Sequence, residues 1–475
     1  MPIITSKPPC SKASLSSSSK LKARCSRKSE PKYFSSFSEA IFSKFRAREH
    51  GVISYLGEES QFIRFNRAKV RQTGTLRDSD ITLKLILEGQ GQGDHRETIG
   101  RINLTGDLDS DLKRGVDLIE GLRTEVSTLP PDPFCMPPKN NGQSSEVFTG
   151  DLLPSKVALE TLIPPIQGVD LAGIYASGWI ASGNQNSAGQ KHWFETETFC
   201  FDYSLIIPAE RSVKGTFFGR KWETEIFRRE INSARERCAY LEKPIRKIPR
   251  GNYRTYLSPD AVQDLVAMFS WGAIGEASFR QGDSPLIALR EKRKILSPLF
   301  SLREDFTLGG TPRFNWDGEI APQTLKLIEK GELKATLVSS RSSLEYGVEA
   351  NGAEMGERMR SPFVPPGTLK ETEILNRLGT GLYLSNLHYL NYSDSQTGRI
   401  TGMTRYACYW VEDGKIQGPI ENLRFDETLF RLFGSELEAL TDFTADIPNT
   451  STYEHRQLGI ARVPGALIKN MEFTL

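Results

Sequence analysis

The sequence predicts an α+β fold: an N-terminal α+β domain on a mostly antiparallel sheet, then a larger β-rich C-terminal region with a central helical segment. Three patterns predict it. Ile81, Leu83, Leu85 and Leu87 recur at period 2, the signature of a strand with one buried face. Leu108, Leu112, Val116, Ile119, Leu122 and Val126 step at helical spacing and make one apolar stripe. Near the C-terminus, Tyr406, Cys408 and Trp410 alternate with Ala407, Tyr409 and Val411 before Asp413-Gly414, the dipeptide of a tight hairpin turn. A chain of 475 residues has room for several domains at about 100–200 residues each.

In chain order, residues 1–29 hold seven Lys or Arg, nine Ser and no acid, with no apolar segment of the secretory type. Residues 1–35 are therefore expected to be a disordered leader, compatible with an organellar transit peptide on an otherwise cytoplasmic protein. The N-terminal domain is expected over 36–130. It opens with a helix on Phe37, Ala40, Ile41 and Phe45, followed by extended segments at 52–55, 62–66, 68–73, 81–87 and 98–102. Gly89, Gly91 and Gly93 form a turn within it. Pro, Asn, Gly and Ser predict a linker over 131–150. A central region, 151–255, holds a hairpin of residues 171–180 and 192–207 around a turn containing Ser182, Gly183, Asn184 and Gly189. A helix from Trp222 to Leu241 follows, with Cys238 on its packing face. The C-terminal domain, 256–475, begins with a strong helix start: Ser258 as N-cap, Pro259 at the first helical position and Asp260 in the first turn.

Composition removes several functions. Lys+Arg 61 against Asp+Glu 59 is too balanced for the basic field that a phosphate backbone rewards, so nucleic acid is not expected as a partner. No run of about 18 apolar residues offers a membrane span. Six cysteines without a CxxC pair argue against a disulfide framework or a zinc knuckle; Cys135, Cys200, Cys238 and Cys408 are expected as core or loop residues. Five histidines include no HExxH pair, and His192 and Cys200, on one strand, would stand roughly 26 Å apart. There is no GxSxG sequence, SxxK spacings occur only in the Ser/Lys-rich stretch that ends at Lys32 and from Ser110 to Lys113 on the striped helix, and Gly89-x-Gly91-x-Gly93 lacks the Lys-Ser/Thr of a phosphate loop. Asp317 and Glu319 flank Gly318, an arrangement expected of a solvated turn.

Three segments in order nonetheless resemble the TldD/PmbA (TldD/TldE) family of zinc-metallopeptidase-related proteins. They are residues 257–286 (LSPDAVQDLVAMFSWGAIGEASFRQGDSPL), residues 314–337 (FNWDGEIAPQTLKLIEKGELKATL), and residues 379–425, with Thr397-Gly398, Gly402, the EDGKI turn at Gly414, and Pro419. Strands and helix between Phe62 and Val126 resemble the family's N-terminal domain. The resemblance marks Ser284, Phe314, Asp317, Gly318, Gly398, Gly402, Gly414 and Pro419 as motif positions. It also locates a departure. The family's zinc-binding HExxxH falls on Met268, Phe269 and Ala273, and no cysteine follows Cys408 to act as its third ligand. A thioether, a phenyl ring and a methyl cannot replace two imidazoles and a general base.

The resemblance therefore implies a TldE/PmbA-like, non-catalytic subunit of a hetero-oligomeric peptidase of small or unfolded peptides. No cofactor is expected on this chain, and zinc is expected in a TldD-like partner. Two alternatives differ in kind: a peptide-binding scaffold using Tyr383, Tyr389, Tyr392, Tyr409 and Trp410, or a stand-alone enzyme with a site rebuilt from His388, His192 and Glu276. Replacing FDDEG with Phe314-Asn315-Trp316-Asp317-Gly318 puts the family role of those acids in question.

Overall fold

The computed structural model describes residues 30–91, 93–208 and 211–474; most of the expected leader lies outside them. Its last part does not. Glu30–Phe42 form helix α1, with Tyr33, Phe34, Phe37 and Ile41 buried. The helix starts earlier than its apolar pattern predicts because Glu30 is held inside by the Tyr55 hydroxyl at 3.1 Å and by Arg77 at 2.8 Å.

The fold is α+β. Seven strands make the first sheet: β1 (Glu49–Asn66), β2 (Lys69–Leu87), β3 (Arg96–Asn103), β4 (Gln143–Phe148), β5 (Asp170–Asn186), β6 (Lys191–Ile207) and β7 (Arg211–Gly219). Their order is β3-β2-β1-β5-β6, and β4 and β7 share the outer edge of β6, the first parallel along residues 191–196 and the second antiparallel along 199–207. The sheet thus runs from the expected N-terminal domain through the central hairpin, joined by β1 against β5. Residues 143–148, expected in a linker, supply one of its strands. Ser182, Gly183 and Asn184, expected in the hairpin turn, lie inside β5, which is paired on both sides. Gly183 suits that position because a Cβ there would lie 2.7 Å from the Phe34 ring.

Side-chain alternation divides the sheet into two faces. On one face, Ile53, Tyr55, Ile81, Leu83, Leu85, Trp179 and Trp193 pack under α1 and α2 (Leu108–Val126). Ile63, Phe65, Phe201 and Tyr203 pack under α3 (Ala158–Ile166) and α4 (Thr224–Leu241). The opposite face carries Ser54, Glu58, Ser60, Asn184, His192, Thr196 and Thr198, and among the described residues no helix packs an apolar stripe on it as α1 to α4 do on the first. The Asp107 carboxylate accepts the Ser110 N–H at 3.0 Å and caps α2 where the stripe predicts its start.

The remaining strands form a six-stranded and a nine-stranded sheet, packed around α5 (Pro259–Ala267), the predicted Ser258-capped helix. The Asp413-Gly414 hairpin joins Tyr409–Glu412 to Lys415–Pro419. Cys135, Cys200, Cys238 and Cys408 carry free thiols. Among the described residues no helix is long and apolar enough to cross a membrane.

One acid of α5 makes stability depend on pH. The Asp264 carboxylate accepts the Leu387 N–H at 3.0 Å, and burial pushes its pKa up to about 7. An unfolded Asp titrates near about 3.9, so between that pH and about 7 the folded chain holds more protons and stability falls as pH rises. Asp264→Asn keeps a carbonyl acceptor and removes the charge. Urea melts should show it gaining on the wild type between pH 5 and pH 8, by on the order of 2 kcal/mol. An unchanged difference between the two proteins would contradict the assignment.

Candidate functional site

The helix end at the expected zinc position is solid core. After α5 the chain tightens into a single 3₁₀ turn, Met268–Ser270. Met268, Phe269 and Ala273 are all buried. The Phe269 ring lies 5.8 Å from both Phe300 and Phe433, which stack on each other at 4.5 Å. The Met268 carbonyl accepts the Tyr392 hydroxyl at 2.8 Å, and the Ala273 carbonyl accepts Ser284 Oγ at 2.8 Å. Ser284 Oγ in turn accepts the Leu286 N–H, so this motif serine ties a turn to the helix end. Phenyl rings and a methyl offer a metal no lone pair and the Met268 thioether is a poor substitute for an imidazole; the residues present do not fit the zinc ion that the family motif implies.

The three residues of the rebuilt-site alternative are not brought together. Glu276 is bound by Arg280, Arg290 and Thr336. His388 sits in a surface cavity beside Arg405. His192 lies on the uncovered face of the first sheet, its Nδ1 2.8 Å from Ser144 Oγ. The distal glycines act on the backbone. Gly398 and Gly414 occupy turns at φ +70° and +71°, and a Cβ on Gly402 would meet the Phe425 ring at 2.6 Å. Pro419 pairs with Tyr409, and its carbonyl accepts the Arg246 N–H at 2.8 Å.

Phe314, Asp317 and Gly318 do converge, on the uncovered sheet face. The Phe314 ring stacks on His192 with centroids 5.5 Å apart. The Trp316 carbonyl accepts Ser54 Oγ at 3.1 Å and Asn184 Nδ2 at 2.7 Å. Gln190 Nε2 donates to Asn184 Oδ1 at 2.7 Å and to the Asp317 carbonyl at 3.3 Å. Gly318 has φ +78°, and a Cβ there would fall 1.6 Å from Gln190 Nε2, so this seat requires glycine. Asn315 closes the turn itself. Its Oδ1 accepts the N–H groups of Asp317 and Glu319, and its Nδ2 donates to Glu319 and the Ala353 carbonyl.

The flanking acids are therefore held by partners, although the Asp317 side chain remains 39% exposed. Lys84 Nζ lies 2.5 Å from Asp317 and 3.7 Å from Glu97. Burial disfavours the Lys84 ammonium, but the two carboxylates outweigh it and hold its pKa above the ordinary lysine value. Glu319, bonded to Ser340 Oγ, is raised by burial. The chemistry on offer is ionic locking of a loop, with Lys84 permanently charged.

A second segment crosses the same face. Residues 449–459 carry Arg456, whose backbone N–H donates to Glu58 at 2.8 Å. Its guanidinium reaches between β1, β5 and β6 to Ser60 Oγ, the Gly178 carbonyl, the Thr198 carbonyl and Thr198 Oγ1. These two crossings partition the uncovered face. Between them lies a cavity of about 800 Å³ lined by Ser54, Glu58, Asp78, Asp80, Arg101 and the half-exposed Trp316. Past residues 449–459 lies one of about 1010 Å³ with Arg64, Arg71, Asp202 and Lys214. Beyond the 314–319 loop is a third, about 380 Å³, with Lys84, Glu97 and Asp317. Lys84, Asn184, Gln190 and Arg456 carry no sequence signal of this role; only the DG turn at 317–318 marks a tight backbone approach.

With the geometry described, comparison with known proteins is informative. Residues 250–475 match the family model of the PmbA/TldA metallopeptidase C-terminal domain. A metalloprotease TldD homolog of Buchnera aphidicola is 26% identical over 226 residues, 43% of this chain and 44% of that protein, so the match spans less than half the length of either. Three crystal structures share the fold. One is a protein of Thermotoga maritima described as a candidate modulator of a DNA gyrase, with TM-score 0.72, 16% identity, and 93% of this chain and 100% of that one covered. The second is TldE of Thermococcus kodakarensis, with TM-score 0.71, 13% identity, and coverage of 94% and 99%. The third, from Bacteroides thetaiotaomicron and also described as a candidate gyrase modulator, has TM-score 0.70, 15% identity, and coverage of 93% and 98%.

Proposed function

We propose, from the premise that this chain belongs to the TldD/PmbA family of metallopeptidase-related proteins, that it is a TldE-like subunit without catalytic residues of its own. In this reading it pairs with a TldD-like chain that carries the zinc, and together they cleave small or unfolded peptides. The observation that carries the reading is the Phe269–Phe300–Phe433 stack at the position where the motif would hold metal. A chain that had lost one ligand could still hold zinc weakly. One whose ligand helix ends in packed phenyl rings has its remaining use in binding and assembly. The uncovered sheet face, with its acidic, basic and mixed cavities, is the surface such a subunit would turn toward substrate. Motif residues Phe314, Asp317 and Gly318 act there by fixing the roof of that surface. Ser284, Gly398, Gly402, Gly414 and Pro419 act by holding the C-terminal sheets that carry it.

The test is metal content and activity by partner. The chain purified alone should hold less than about a tenth of an equivalent of zinc, because binding energy without ligands is negligible. Co-expressed with an HExxxH-bearing family chain, it should co-purify with zinc and peptidase activity, both lost when that chain's motif is mutated. A full equivalent of zinc in the isolated chain, removed by His388→Ala or His192→Ala, would overturn the proposal in favour of a rebuilt site.

A further inference from the structure

A surface cavity of about 370 Å³ lies where the strands Asn386–Asp394 and Arg399–Arg405 meet the start of β7. It is separate from the uncovered sheet face and from the 268–273 helix end; of the candidate positions named above it holds His388, Tyr389 and Pro419. Its walls have unusual backbone. Ten non-glycine residues have positive φ among the described residues, and only two of these are aromatic: Tyr389 at +53° and Tyr406 at +63°. Both line this cavity. A bulky L-residue held there stores about 1–3 kcal/mol and persists only where its surroundings impose it. At Tyr389 the ladder shifts register between His388 and Asn391, a bulge that leaves the ring 74% exposed, 4.0 Å from the His388 ring. Burial of the ring therefore cannot be what the strain supports.

The cavity is also cationic. Arg405 lies over the Tyr406 ring at 5.0 Å, and among the described residues it has no carboxylate partner within ion-pair distance. Arg211 donates one N–H to the Lys243 carbonyl, and its Nε is buried with no acceptor. The acid lining the cavity, Glu421, already accepts the Ile248 N–H at 3.1 Å. His388 adds no firm charge, since burial and the neighbouring Arg405 both hold its pKa below the ordinary histidine value.

We propose that this cavity binds a small organic carboxylate, its two oxygens on the Arg405 guanidinium and its body against the rings of Tyr389 and Tyr406. A planar fork matches a carboxylate with two parallel N–H···O bonds, and tyrosine faces offer apolar area with little rotamer freedom to lose. Arg405 and Arg211 against Glu421 leave one net positive charge, which favours a carboxylate over a phosphate dianion. The bulge then has a use: it holds one wall of the site in place before the ligand arrives.

The test is titration of the full chain with phenylacetate, followed by the His388 imidazole NMR signal, assigned by its loss in His388→Gln. The signal should shift saturably, and phenylacetamide, which lacks the charge, should not move it. Arg405 is exposed, so Arg405→Gln should fold and bind at least about tenfold more weakly. Arg405→Lys, which keeps the charge and loses the fork, should fall between. No saturation below about 50 mM, or equal affinity in Arg405→Gln and wild type, would overturn the proposal. Tighter binding of phenylphosphate than of phenylacetate would overturn the carboxylate assignment.

Discussion

Placing at Phe269 the acid that the sequence resemblance assigns to this position, by Phe269→Glu, is expected to come close to unfolding the C-terminal region rather than to create a catalytic base. Phe269 is fully buried and shares its cavity with Phe300 and Phe433. Removing a buried phenyl costs about 3–5 kcal/mol. The carboxyl that replaces it finds no donor among those rings, and an unsatisfied buried polar group adds about 1–3 kcal/mol. Whole-domain stability is about 5–15 kcal/mol, so the sum is a large share of what holds the chain folded. The new Glu would sit protonated, its charge too costly to bury, which defeats its use as a base at neutral pH. Urea unfolding should show a midpoint far below the wild type, and the double variant Met268→His/Phe269→Glu should bind no zinc. A loss under about 1 kcal/mol would mean that the helix end is open enough to have kept a metal site.

How much of this was legible from the chain differs element by element, for physical reasons. The start of α2 was readable because its stripe is local: Leu108 and the apolar residues after it are neighbours in sequence. The hairpin at Asp413-Gly414 was readable for the same reason. β1 was not. Its residues 57–60, Gly-Glu-Glu-Ser, break the apolar alternation and divide the predicted strand in two. The structure keeps one strand because β2 and β5 take its backbone bonds on both sides, and because Glu58 and Ser60 are satisfied by Arg456, about 400 positions away in the chain.

The site divides along the same line. Gly318 was recognisable as a turn, since a glycine after Asp is a local signal. That Gln190 and Asn184 press on it is a tertiary fact with no local trace. That Met268, Phe269 and Ala273 carry no imidazole or carboxylate is a matter of residue type alone. The apolar stack that fills their place needed Phe300 and Phe433, brought from two other segments. The expected turn at Asp317 and Glu319 is there, but its ionic partner was not legible, because Lys84 belongs to an ordinary amphipathic strand that rises beneath Asp317.

Arg456→Met is expected to release residues 449–459 from the sheet and merge the cavities of about 800 and 1010 Å³ on either side. The argument rests on where the lost bonds leave their partners. Methionine replaces the aliphatic stem but none of the donors, so the Gly178 and Thr198 carbonyls and Ser60 Oγ lose the guanidinium that satisfied them. Breaking a buried charged network in this way costs roughly 3–5 kcal/mol. Water can pay that debt only by entering, and the two cavities supply it from both sides. The cost should therefore appear as local opening, with hydrogen exchange across 449–459 accelerating by two orders of magnitude or more at about 1.4 kcal/mol per tenfold, while α2 and the C-terminal sheets keep their protection. The backbone bond to Glu58 survives the substitution, so the segment should fray rather than leave the protein. Arg456→Lys, with one ammonium in place of the fork, should exchange at an intermediate rate. If the segment keeps wild-type protection in Arg456→Met, the guanidinium is not its anchor and the partition of the sheet face must rest on the 314–319 loop alone. If it opens, the width of the surface this chain presents is set by one side chain, and variants at that position become the means of testing what the surface holds.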